Sequence, residues 1–141
     1  MDPKRIAREI VEKIFNDRNL GEVDRLVAPS CRDHAIPHGE KNGADGVRAV
    51  ATSLWQAFPD GRFTLEEVFG EGELVTTCCV FEGTHQGHFC GVPPTGRRVR
   101  LESVDVVRVV NGQCVEHWGG FEAGAVISQL ALQPRPVMEE V

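Results

Sequence analysis

Residues 99–120, VRLESVDVVRVVNGQCVEHWGG, leave the chain few choices, because they read as two antiparallel strands joined at Asn111-Gly112. Both central residues of a type I′ turn need positive φ, and Asn-Gly supplies it at low cost. Strand side chains alternate between faces. Leu101, Ser103, Asp105 and Val107 therefore share one face of the first arm. On the second arm Val115, His117 and Gly119 share a face, with Glu116, Trp118 and Gly120 on the other. If Asp105 and His117 both point inward, the fold holds a carboxylate–imidazole couple.

The preceding residues supply helices and then more strands. Asp2-Pro3 reads as an N-cap with proline at the first helical position, and Ile6, Ile10, Val11, Ile14 and Phe15 recur at helical spacing, predicting a helix over Pro3–Asn16. Leu20, Val23, Leu26 and Val27 suggest a short second helix ending near Pro29, and CRDHAI, Cys31–Ile36, is a strand candidate. Val47, Val50, Ala51, Leu54, Trp55 and Phe58 fit a third helix over Ala44–Phe58, stopped by Pro59. Strands are expected over Arg62–Phe69 and Leu74–Gly83, with a turn at Gly70–Gly72. The Gly- and Pro-rich stretch Gly83–Gly96 reads as an irregular excursion, and Val126, Ile127 and Leu130 mark a C-terminal helix.

This order predicts an α+β domain. A curved antiparallel or mixed sheet, closed on its concave side by the N-terminal helices, would form a cone-shaped barrel around one cavity. The 141 residues suit a single domain over 1–132, with 133–141 as a flexible tail. A net charge of −6 without a Lys/Arg run argues against nucleic acid. No apolar run approaches the roughly 20 residues that span a bilayer, and the charged N-terminus is unlike a signal peptide, so a cytoplasmic protein off the membrane is expected. The five cysteines contain no CxxC and read as reduced, mostly buried thiols. No HExxH or Cys/His spacing supports a metal.

Imidazole titrates near neutrality and suits proton transfer, which makes His117 the first candidate; a hydrogen-bonded core histidine is the plainer alternative. Asp105, set among Val104, Val106 and Val107, is either buried and paired or part of a site. Trp55, Phe58, Phe63, Phe81, Phe89, Trp118 and Phe121 supply aromatic area, mostly core, in part a wall for a flat apolar ligand.

DHAIPHG at Asp33–Gly39, AFPD at Ala57–Asp60, GTHQGHFCGVPPTGRRV at Gly83–Val99, DVVRVVNGQCVEHW at Asp105–Trp118 and SQLAL at Ser128–Leu132 together resemble the SnoaL-like polyketide cyclases. These belong to the nuclear-transport-factor-2-like and ketosteroid-isomerase-like superfamily. The resemblance spans about Ile6 to Leu132. It implies an α+β barrel with a deep apolar pocket, often dimeric, and cofactor-free acid–base chemistry on a carbonyl-containing, polyketide-like molecule. It also places His34 beside the cavity as a third catalytic candidate, with His38 four residues on. His85 and His88 would sit at the pocket mouth. Trp55, Phe58, Phe81, His85, His88, Phe89, Trp118 and Gly119 are the expected substrate-binding residues.

One departure stands out. The characterised cyclases carry an acid–base aspartate two residues after the hairpin histidine, and the matching position here is Gly119. Glycine moves no proton. The expectation is therefore a cyclase or isomerase using His117, Asp105 and His34. The alternatives are a hydroxylase or ring-opening member, or a binding protein without turnover.

Overall fold

The structure, a computed structural model, describes residues 2–35, 42–121 and 123–132. The Asp2 carboxylate accepts the Lys4 N–H at 3.0 Å and starts helix α1, Pro3–Glu9, which runs on as a π-helical stretch over Ile10–Asn16. A short 3-10 turn, Leu20–Glu22, leads into α2, Val23–Leu26.

Strand β1, Val27–Asp33, follows without a loop, so it begins four residues before the expected strand and absorbs Pro29. Proline is tolerated there because β1 is an edge strand. The chain then turns at His34-Ala35, which cuts short the expected strand through Ile36. Ile36 and His38 lie outside the described residues.

Helix α3, Gly43–Ala57, is capped by Asn42, whose Oδ1 accepts both the Gly43 N–H at 3.0 Å and the Asp33 N–H at 2.8 Å. One side chain thus ties the helix start to the end of β1. Gly43 is required at this junction: its φ is +68°, and a Cβ would fall 2.1 Å from the Pro29 carbonyl oxygen.

Strands β2 (Arg62–Glu71), β3 (Leu74–Thr84), β4 (Arg98–Val110) and β5 (Gln113–Gly119) complete a five-stranded sheet in the order β1-β5-β4-β3-β2. β1 runs parallel to β5; the other pairs are antiparallel. The β2–β3 turn falls at Gly72-Glu73 rather than at Gly70–Gly72, because Gly70 still pairs with Val75. Asn111 and Gly112 take φ of 52° and 78°, as the type I′ turn demands. The excursion after β3 is held by backbone bonds: His85 with Arg97 and Gly96, and Gln86 and Gly87 with the Ala57 carbonyl. Helix α4, Ala123–Leu132, docks on β4 through Gln129, which bonds both the N–H and the C=O of Arg100, and through Arg97, which donates to the Leu130 carbonyl.

The helices cover one face of the curved sheet and make two apolar clusters with it. One joins Ile6, Ile14, Val23 and Leu26 to Val75, Val107, Val109 and Cys114. The other joins Leu54, Ala57, Phe58, Val126 and Leu130 to Phe81, Val99 and Leu101. Between them, on the same inner face, the side chains turn polar: Thr77 pairs with Asp105, and Cys79 with Ser103. Among the described residues, no helix is long and apolar enough to cross a membrane.

Candidate functional site

The polar seam is centred on His117. Counting back from the two-residue turn, a regular hairpin would set His117 opposite Val106, on the outer face. Instead the register slips between Arg108 and Val109: Val109 pairs with Cys114, but Arg108 pairs with Glu116. Val115 is the extra residue. A one-residue bulge moves every later side chain to the other face. His117 therefore pairs with Val107 and points inward, and Gly119 faces Asp105.

Both ring nitrogens of His117 are engaged. Nε2 lies 2.7 Å from Asp105 Oδ1, and Nδ1 lies 2.8 Å from Asp33 Oδ1. Asp33 also accepts the Ala35 N–H at 2.9 Å, and Asp105 accepts the Ser103 hydroxyl at 2.8 Å. The three side chains are neither sealed nor free: 21% of His117, 14% of Asp33 and 26% of Asp105 is exposed. Burial opposes the charged imidazole, but the bonds to Asp105 and Asp33, reinforced by their charges, raise its pKa to about 10. Burial likewise opposes ionisation of Asp33, and the His117 bond and charge outweigh it, holding that carboxyl below its usual range.

The Asp105–His117 couple, which strand alternation alone left open, is thus formed by that register. Asp33 was not anticipated. Its signal lay beside His34 in the DHAIPHG segment, since Asp33 is the direct β1 partner of His117.

His34 goes elsewhere. It leaves β1 at the turn, and its ring stacks on Trp118 at 5.1 Å with an interplanar angle of 6°. Its Nε2 is 2.7 Å from Glu116, which Arg108 also reaches at 3.3 Å. Glu116 and Trp118 flank His117 on the strand and occupy the outer face, so His34 and Trp118 are separated from His117 by the sheet itself. The expected catalytic role of His34 and the ligand-facing role of Trp118 are corrected accordingly. Replacing His34 with alanine is expected to leave activity at the His117 site within about threefold of wild type, the scale of a surface change; steady-state rates on any accepted substrate check it.

The other expected pocket residues divide. Phe58 and Phe81 are 0% and 2% exposed and meet edge to face at 5.4 Å, so they are core and present no surface to a ligand. His85 is buried as well, its Nδ1 accepting the Thr95 N–H at 3.2 Å, and it holds the excursion in place rather than opening at a mouth. Its Nε2 has no hydrogen-bond partner among the described residues, and burial lowers its pKa. Trp55 donates to the Phe15 carbonyl at 3.1 Å under the Arg18 guanidinium, away from His117. Phe89 packs on Phe58 at 5.7 Å, and His88 is exposed beside it. Gly119 and Gly120 adjoin the couple: a Cβ on Gly120 would lie 3.2 Å from Asp105 Oδ1.

Of the cysteines, Cys31 and Cys114 approach to 3.7 Å between sulfurs, and burial pushes the Cys79 thiol up to about 12. All five are free thiols. Among the described residues, no group of three or more His, Cys, Asp or Glu side chains is arranged to hold a metal ion.

A family model described as SnoaL-like polyketide cyclase matches residues 5–130. Nogalonic acid methyl ester cyclase of Streptomyces nogalater is 31% identical over 113 residues, covering 77% of this chain and 84% of that protein. The crystal structure of wild-type IdmH from Streptomyces antibioticus, a candidate polyketide cyclase, superposes with a TM-score of 0.79 at 30% identity, over 94% of this chain and 100% of the other. AclR of Streptomyces galilaeus, a candidate hydroxylase, does so with a TM-score of 0.76 at 25% identity, over 94% and 97%.

Proposed function

This chain belongs to the SnoaL-like polyketide cyclase family, and from that premise we propose that it is a cofactor-independent cyclase or isomerase acting on a carbonyl-containing, polyketide-like molecule. The observation that carries the reading is the Asp105–His117 couple, partly exposed at 26% and 21% in a polar seam between two apolar clusters. A proton α to a carbonyl passes to this couple, and the cation beside it steadies the enolate that forms. The partial exposure of Asp105 and His117 leaves a substrate carbonyl room to approach the couple. The relatives named nogalonic acid methyl ester cyclase and aklanonic acid methyl ester cyclase lend support at 28–31% identity.

A hydroxylase-like reaction is the second reading. It is favoured by Gly119, which removes the aspartate expected two residues after the hairpin histidine, and by the likeness to AclR. A homodimer is part of the proposal. Val104, 52% exposed beside Val106 and Trp118 on the outer face, offers apolar surface to a second copy.

The test is deuterium exchange, read by mass spectrometry, on β-diketone and anthrone-like compounds. Wild type is expected to exchange the acidic carbon, and Asp105→Asn to lose about a hundredfold or more of that rate. Saturable binding of the same compounds with no exchange would leave a ligand carrier instead.

A further inference from the structure

We propose that the group exchanging a proton with substrate is the Asp105 carboxylate, and that Asp33 is a positioning residue that makes it so by holding His117 as a doubly protonated ring between them. This rests on reading the seam as an acid–base site, and it names the acceptor within it.

The geometry excludes a free imidazole base. A neutral ring has one N–H and one lone pair. With carboxylate oxygens at 2.8 Å from Nδ1 and 2.7 Å from Nε2, either neutral tautomer would press a lone pair against an anion. Only the imidazolium donates to both. Its protons are then committed, and no lone pair is left to take one from carbon.

The two carboxylates are not equivalent. Asp33 is 14% exposed; its Oδ1 carries both the His117 and the Ala35 N–H bonds, and its main chain is pinned by Asn42. Asp105 is 26% exposed, and its neighbours Gly119 and Gly120 bring no side chains over it. Its Oδ2 holds only the Ser103 hydroxyl among the described residues, a neutral donor that substrate can displace.

The step balances without a co-reactant. The C–H bond α to the carbonyl breaks, its electron pair moves to the carbonyl oxygen as an enolate, and the proton forms an O–H bond on Asp105. The site goes from a net charge of −1 to 0 as the substrate goes from 0 to −1. Asp105 then returns the proton at the end of the rearrangement. Without Asp33, the imidazolium would have a single carboxylate partner and an unpaired Nδ1–H, and the ring would be free to turn away from Asp105. The second anion offsets that charge and fixes the ring.

Other titratable groups face this set from each packed element. They are Cys31 on β1, Cys79 on β3 and Cys114 on β5, while His34 and Glu116 act on it from the outer face. None lies between His117 and either carboxylate.

Nitrogen-15 NMR of the imidazole in the wild-type protein is the primary test and needs no turnover. Both ring nitrogens are expected to be protonated at pH 7 and still at pH 9. In Asp33→Asn the ring should titrate at least one pH unit lower, and Asp33→Glu should restore the wild-type curve. The exchange rate of wild type on a β-diketone should be flat from pH 6.5 to 9. A tenfold rise per pH unit would make neutral His117 the base and overturn the assignment, as would a neutral ring at pH 7. Absence of exchange with every compound would overturn the acid–base reading itself, whatever the NMR shows of the ring.

Discussion

Replacing His117 with alanine lowers the unfolding free energy at pH 7 by about 3–5 kcal/mol, as measured by urea denaturation. The change removes one cation and leaves two carboxylates, 14% and 26% exposed, facing a hole. Breaking a buried pair costs more than the pair contributes, because the stranded charge has lost both its partner and water. The double variant Asp33→Asn, His117→Ala should regain part of the loss, since one stranded charge goes with it; partners in one network are not additive. A loss below about 1 kcal/mol would mean that water already screens the site.

The same linkage gives wild type a particular pH dependence. The folded-state pKa of His117 is raised from 6.5 to about 10. A raised pKa stabilises fully below the unfolded value and loses that contribution as pH climbs through the folded one. Asp33 is shifted the other way, down from 3.8, so its contribution is present above that value and fades as pH falls through the lower one. The site thus favours the fold most between about pH 4 and 6.5. Stability should decline steadily from there to about pH 10, and in His117→Ala that alkaline slope should flatten.

Much of this was legible in the sequence because local rules and tertiary packing agree. Asn111-Gly112 needs positive φ and takes it; Ile6, Ile14, Leu54 and Phe58 fall on faces that the helices bury. The aromatics were harder to place, since size marks a residue for burial but not for which side of a wall it fills. Phe81 became core, and Trp118 went to the outer face under His34.

The inward aim of His117 was not legible, because it depends on the bulge at Val115 and nothing in Cys114-Val115-Glu116 announces an extra residue. Asp33 was hidden for a related reason. Its partnership comes from a parallel pairing between residues 84 positions apart, which no local pattern encodes. Strand alternation singled out Asp105 and His117, but only the register brought them together.

Placing an aspartate at position 119 is expected to damage the protein. Gly119 has φ of +88°, and a Cβ there would stand 2.4 Å from the Val104 carbonyl oxygen. That oxygen is itself held by the Gly120 N–H at 2.8 Å, so it cannot step aside without breaking the end of β5. A non-glycine residue at such φ costs about 1–3 kcal/mol before any clash is counted. Gly119→Asp should therefore lose at least about 3 kcal/mol of stability. Its exchange rate should fall, since the clash with the Val104 carbonyl displaces the end of β5 beside Asp105. Gly119→Ala separates the causes: it should lose most of the stability, because backbone and Cβ carry the cost. Wild-type stability with faster exchange in Gly119→Asp would show that this backbone does accept a carboxylate at 119. The expected failure would mean that this backbone admits no carboxylate at 119 and leaves Asp105 as the one beside it. Asp105 pairs directly with Gly119, so a carboxylate already stands on the inner face opposite this position. The bulge that turns His117 inward brings it within 2.7 Å of that carboxylate. The positive φ that disfavours a side chain at 119 also leaves Asp105 uncovered on that side, so the absence of a carboxylate at 119 and the open face of Asp105 follow from one backbone conformation.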